Sequence, residues 1–130
     1  MSNLGIGQLA KRAGVAIDTV RYYERNNLLS PAGRLASGYR RYGEAELKRL
    51  RFIRRAKALG FTLEDIRGLL SLSDERSVAK VKKAAEAKLA DVDRRIDELE
   101  RIREGLRNLV QACPGHGRAE SCPILNALNA

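Results

Sequence analysis

The chain has 130 residues, 44% of them apolar and 32% charged, with a formal net charge of +9. This suits one compact domain or one small domain with an extension, with enough apolar material for a core and more charge than most globular chains carry. No run of about 18 or more apolar residues is present, so no membrane-spanning helix is expected. Met1-Ser2-Asn3-Leu4 lacks the basic and apolar regions of a secretory leader, so the expected location is cytoplasmic.

In chain order, Ile6 to Ala13 reads as a short helix, with Ile6, Leu9, Ala10 and Ala13 on one face and Gly14 as its stop. Val15-Ala16-Ile17 makes a tight turn, and Asp18 opens the next helix as cap or first-turn acid, followed by Thr19 to Arg25. Two short helices joined by such a turn match a helix-turn-helix. Leu28-Leu29-Ser30-Pro31 closes that unit. Ala32 to Gly38 is small and turn-rich, and Tyr39-Arg40-Arg41-Tyr42 has strand composition; together they read as a wing. A third helix follows from Gly43-Glu44 to Leu59, burying Leu47, Leu50, Ile53 and Ala56 (or Lys57). A fourth begins with Thr62 and, three residues on, Asp65, close to a capping box. Residues 1–70 form this head, and 71–77 read as a polar linker.

From Val78 to Ala112 the pattern is one long helix. Leu89, Val92, Ile96, Leu99, Ile102, Leu106 and Leu109 recur at spacings of three and four, with charges on the other faces. So narrow a stripe suits a coiled-coil seam, and a second copy of the same helix is the economical partner, in a homodimer. Residues 113–130 are a loop from Cys113 to Cys122 and a short last helix with Pro123 at its first position. The expected class is therefore mainly all-α: a winged helix-turn-helix head, a long dimerisation helix and a cysteine-bearing terminal loop.

The charge follows this division. Residues 1–70 carry 14 basic and 6 acidic side chains, whereas residues 71–130 carry 11 and 10. A basic head on a nearly neutral body is the electrostatic footprint of nucleic-acid binding. Arg21, Tyr22 and Arg25 project from the second helix. Arg21 suits a guanine edge or a phosphate, and the Tyr22 hydroxyl suits a phosphate. Adjacent helical residues diverge by about 100°, so one of the two tyrosines packs inward, and Tyr23 is the expected one. Tyr39, Arg40 and Arg41 are placed to grip the backbone or a minor-groove edge. Strand alternation turns the two arginines opposite ways.

The two cysteines are Cys113 and Cys122. In an intracellular chain such a pair points to metal binding or reactivity more than to a structural disulfide. Cys122 at the start of the last helix gains from free N–H groups as a thiolate. Two thiolates with few other ligands suit a soft monovalent ion, Cu(I), Ag(I) or Au(I). Zn(II) wants about four ligands, for which the loop adds only His116. A zinc or other divalent sensor using His116 and a thiol redox sensor forming a Cys113–Cys122 disulfide are the alternatives. An enzyme is not expected, because no third residue is placed to orient His116 beside a cysteine.

Ile6-Gly7-Gln8-Leu9-Ala10, Thr19-Val20-Arg21-Tyr22-Tyr23-Glu24, Leu28-Leu29-Ser30-Pro31, Gly38-Tyr39-Arg40-Arg41-Tyr42 and Leu59-Gly60-Phe61-Thr62-Leu63, in this order and spacing, resemble the MerR family over nearly the whole chain. The Cys-Pro-Gly and Cys-Pro-Ile segments look like its metal-sensing members, closest to the copper-responsive CueR-like branch. The resemblance implies an antiparallel dimer on promoter DNA with an overlong spacer. It also implies a bound effector that distorts the DNA so that RNA polymerase engages both promoter elements, at metal efflux or detoxification genes. It implies a phosphate contact for Arg54. It places Ser77 or Val78 beside the metal site, where divalent-ion members carry a cysteine and copper members a serine. The loop departs from the copper type in having eight residues between its cysteines, one more than usual and closer to zinc-type spacing.

Overall fold

The structure, a computed structural model, describes residues 3–34 and 37–130; Met1 and Ser2, and Leu35 and Ala36 of the expected wing loop, lie outside the described residues. The chain divides into two compact units, the first ending at Lys82 and the second beginning at Lys83.

The first unit is built on a short apolar core. Helix α1 (Ile6–Ala13) buries Leu9, Ala10 and Ala13. Its first turn is closed by the Gln8 side chain, whose Oε1 accepts the Gly5 N–H at 3.2 Å. It ends at Gly14 (φ 73°), whose N–H turns back to the carbonyls of Ala10 and Lys11. This left-handed turn lets α2 (Ile17–Arg25) start after only two more residues. α2 begins at Ile17, so Asp18 is a first-turn acid and not the cap. Helix α3 (Glu44–Ala58) buries the stripe Leu47, Leu50, Ile53 and Ala56, and packs against α1 on one side and α4 on the other.

Helix α4 (Leu63–Glu75) opens with the capping box read from the sequence. The Asp65 N–H donates to Thr62 Oγ1 at 3.1 Å, and the Thr62 N–H to Asp65 Oδ2 at 3.0 Å. The polar stretch expected as a linker over 71–77 is helical as far as Glu75. Polarity was a misleading guide there. Leu72 extends the stripe of Ile66 and Leu69 by one more turn, residues 71–77 contain no Gly or Pro, and the break falls only at Arg76 (φ 55°) and Ser77.

The wing is a hairpin of two two-residue strands, β1 (Gly33–Arg34) and β2 (Arg40–Arg41), paired antiparallel with Gly33 opposite Arg41 and Arg34 opposite Arg40. Tyr42, next in the chain, exchanges both backbone hydrogen bonds with Leu4, at 2.7 and 2.8 Å. Its ring is fully buried, and its hydroxyl donates to Glu24 Oε1 at 2.8 Å. One residue thus ties the wing to the chain start and to α2.

Helix α5 (Val78–Ala112) runs out of the first unit into the second. None of its side chains is buried. Leu89, Ile96, Leu99, Ile102, Leu106 and Val110 are exposed apolar groups, and a shallow groove of about 700 Å³ runs along the stretch from Ile96 to Val110. The second unit closes with a 3₁₀ turn (Ala119–Ser121) and α6 (Pro123–Asn129), whose first residue is the proline expected there. Among the described residues no helix is long and apolar enough to cross a membrane.

Two outcomes follow from this packing. Gly14→Ala forces a side chain into a left-handed backbone position and is expected to cost about 1–2 kcal/mol in urea unfolding; an unchanged midpoint contradicts it. Burial first, and Glu24 second, push the Tyr42 hydroxyl up to about 12. A free tyrosine ionises near pH ~10. The folded value is the higher one, so this contribution to stability is complete below about pH 10 and lost as pH rises toward 12. In Tyr42→Phe, the loss of stability over that window is expected to be shallower than in the unaltered chain; parallel declines argue against it.

Candidate nucleic-acid interface and thiol loop

On α2, Arg21, Tyr22 and Arg25 are exposed while Val20 and Tyr23 are buried, so the helix presents one polar face outward. Tyr23 is the inward tyrosine, the one expected of the two. The Tyr22 ring leans on it at a centroid distance of 5.9 Å, which restrains Tyr22 at the surface. Across from this face stands the wing, with Tyr39 74% exposed at its tip. Between them lies a concave groove of about 1030 Å³, lined by Arg21, Glu24 and Arg25 of α2, Arg34, Tyr39 and Arg40 of the wing, and the Ser30-Pro31 turn. Four guanidinium groups face one carboxylate in it. That is the electrostatics of a surface for a polyanion, with helix and strand elements of the kind that follow a duplex.

The two wing arginines do face opposite ways, and each has a partner within the chain. Arg40 Nη1 donates to Glu24 Oε2 at 2.8 Å. Arg41 Nη1 donates to Asn3 Oδ1 at 3.0 Å, and its guanidinium lies over Gly33, where an added Cβ would fall 2.9 Å from Arg41 Nε. Arg54 is exposed on α3 and lies against Gly14, at the turn between α1 and α2. Sequence reasoning brought out neither Glu24 nor Arg34, nor the two arginines behind α2. Arg49 Nε donates to the Leu28 carbonyl at 2.6 Å, and Arg67 Nη2 to the Asn26 carbonyl at 2.9 Å. These hold the turn by which the chain leaves α2. For Glu24 a signal was available: it is an acid between Arg21 and Arg25 on a face otherwise basic.

In the second unit, Cys113 follows the last residue of α5 and Cys122 is the N-cap of α6. Gly115 (φ 82°) and Gly117 (φ 105°) supply the left-handed turns that fold the loop between them. The Leu125 N–H points at Cys122 Sγ at 3.5 Å. The N–H groups of Leu125 and Ile124, with a hydrogen bond from Cys113, hold the Cys122 thiol below its ordinary range. The two thiols, both half-buried, are therefore neighbours. His116 is exposed. Among the described residues no three side chains of His, Cys, Asp or Glu gather into a metal-holding group, so His116 is not brought to the pair. Ser77, half-buried, and Val78, 81% exposed, belong to the first unit, at the break after α4 and the first turn of α5.

Comparison with known proteins bears on both sites. Residues 4–73 match the MerR HTH family regulatory protein pattern, and residues 47–109 match the pattern MerR, DNA binding. The chain is 41% identical to the HTH-type transcriptional regulator HmrR of Rhizobium leguminosarum, over 97% of this chain and 98% of that one. It is 40% identical to the mercuric resistance operon regulatory protein of Serratia marcescens, over 98% and 89%. The crystal structure of the transcription regulator PbrR691 from Ralstonia metallidurans, in complex with lead(II), superposes with a TM-score of 0.84 at 36% identity, over 96% and 98%. These relatives are transcription regulators and not enzymes. With a basic helix-and-wing groove and a family pattern over more than half its length, the chain belongs to the MerR family of helix-turn-helix transcription regulators.

Proposed function

We propose that this regulator binds promoter DNA as a homodimer and is switched by a soft metal ion held between Cys113 and Cys122. The observation that carries the metal half is the pair of neighbouring thiols, with no third His, Cys, Asp or Glu gathered to them among the described residues. A two-thiolate set suits a monovalent d¹⁰ ion such as Cu(I), with Ag(I) and Au(I) as chemical equivalents, and leaves Zn(II) short of the ligands it takes in proteins. The lowered Cys122 thiol favours the deprotonated ligand that metal binding needs. Ser77 or Val78, contributed by the second protomer, lies beside the ion in this proposal. A divalent ion is the second reading, and it is supported by the lead(II) complex of PbrR691.

The DNA half rests on the groove. Arg21, Tyr22, Arg25 and Tyr39 face the duplex, with Arg40 and Arg41 in the adjoining wing and Arg54 at the helix-turn-helix turn reaching a flanking phosphate. The exposed stripe of α5 is the dimer seam: the helix is 35 residues and ~50 Å long, and none of its described side chains is buried. Two heads on one two-fold axis grip two half-sites, and metal binding changes the DNA shape between them so that RNA polymerase can engage. Most of the selectivity then comes from deformability of the DNA. The regulated genes in this reading are those of metal efflux or detoxification.

The metal reading is checked by anaerobic competition titration of the reduced protein with Cu(I), Zn(II) and Pb(II), counting ions per chain. One Cu(I) per chain is expected, lost in Cys113→Ser and Cys122→Ser and unchanged in His116→Ala. Tighter retention of Zn(II) or Pb(II) than of Cu(I) transfers the assignment to a divalent ion. For the DNA half, Arg21→Ala is expected to weaken duplex binding and, if Arg21 meets a phosphate, to reduce the slope of log K against log salt by about one. No change in affinity at any salt concentration removes Arg21 from the interface.

A further inference from the structure

We infer that Glu24 is the positioning residue of the DNA-facing groove: its carboxylate latches the wing to the recognition helix α2 through Arg40 and Tyr42, and Arg40 serves this latch in place of a phosphate contact. The inference rests on the DNA-binding reading above and deepens it.

The Glu24 side chain is 8% exposed, the Arg40 side chain 44%. Both carboxylate oxygens are used, Oε2 by Arg40 and Oε1 by the Tyr42 hydroxyl, each at 2.8 Å. Neither partner is local: they lie 16 and 18 positions further along the chain. A carboxylate in the wall of a groove for a polyanion has the wrong sign for the ligand, and electrostatic attraction alone would favour its removal. It must therefore do something that outweighs the repulsion. The wing shows what that is. Each of its strands is two residues long, too short a ladder to fix a hairpin by its own hydrogen bonds. Tyr42 pins the base of the wing to Leu4. The Glu24–Arg40 pair is the next tie up the strand, on the side that faces α2. A charge-assisted bond at this distance, with one partner almost dry, has direction as well as strength. It sets the spacing at which helix and wing meet successive stretches of the duplex. Without it, the wing is ordered only when DNA binds, and the complex bears that cost.

The test is a double-mutant cycle of Glu24→Gln and Arg40→Met, read by anisotropy of a labelled duplex of arbitrary sequence across a salt series. Each protein is first melted so that binding is measured well below its unfolding transition. The latch predicts that Glu24→Gln weakens binding about three- to tenfold, although it removes a negative charge from the groove. It predicts a similar loss for Arg40→Met, with the salt slope unchanged and the double variant no weaker than either single one. Tighter binding by Glu24→Gln, a slope reduced by about one in Arg40→Met, or additive losses make Arg40 a phosphate contact and overturn the latch. Unchanged affinity in fully folded variants overturns it too, leaving Glu24 a structural group only. If Glu24→Gln does not fold, Tyr42→Phe takes its place in the cycle. Absence of salt-dependent duplex binding by the unaltered chain is a different result: the DNA-binding reading itself then fails.

Discussion

Leu47, Leu50, Ile53 and Ala56 of α3 form the one apolar surface on which the first unit is assembled. α1 packs on it from one side and α4 from the other, and α2 reaches it through α1. A unit of this size has little core to spare, so each element's orientation depends on a few contacts. α3 also fixes the functional face through its polar side chains. Arg49 grips the Leu28 carbonyl where the chain leaves α2, and Arg54 lies over the Gly14 turn where it approaches α2. The recognition helix is thus held at both ends by one neighbour, and its outward face is left free for a ligand.

Much of this architecture is legible in the sequence, because the forces that shape it are local. The stripe of α3 follows from helical periodicity, the start of α4 from Thr62 and Asp65, and the division of Tyr22 and Tyr23 into one outward and one inward ring from the 100° step between neighbours. The end of α4 was misread because polar composition was taken for a linker, although Leu72 keeps the helical phase and nothing breaks it before Arg76. The groove was legible as a basic surface but not as a geometry. The contacts that shape it and its surroundings, Glu24 with Arg40 and Tyr42, Arg41 with Asn3, and Arg67 with the Asn26 carbonyl, join groups 16 to 41 positions apart. No spacing rule reports such pairs. Only the fold brings them together.

The thiol loop divides in the same way. That Cys113 and Cys122 are the candidate ligands could be read from their number and place. That they are neighbours, and that Cys122 caps α6 with its sulfur against the Leu125 N–H, needed the loop path set by Gly115 and Gly117. His116 shows the limit of reasoning by residue type. It is the only histidine in the chain and lies between the two cysteines in sequence, yet it is not gathered with them. One positive-φ glycine on either side of it, Gly115 and Gly117, directs the backbone there.

The groove and the loop share a physical device: a functional group is positioned by a few aimed dipoles or ions. Cys122 is drawn toward a thiolate by backbone N–H groups at the start of a short helix. Glu24, its side chain 8% exposed, has both carboxylate oxygens engaged by a guanidinium and a phenol. Such arrangements stabilise a fold very little, since the attraction largely offsets the cost of drying the charge. What they supply is direction. An apolar contact tolerates sliding, whereas a carboxylate with both oxygens engaged at 2.8 Å permits one relative placement of its partners. In a small head whose core cannot grow, rigid spacing between a helix and a two-residue hairpin has to come from polar geometry. This is why an acid persists in a surface otherwise built to attract an anion.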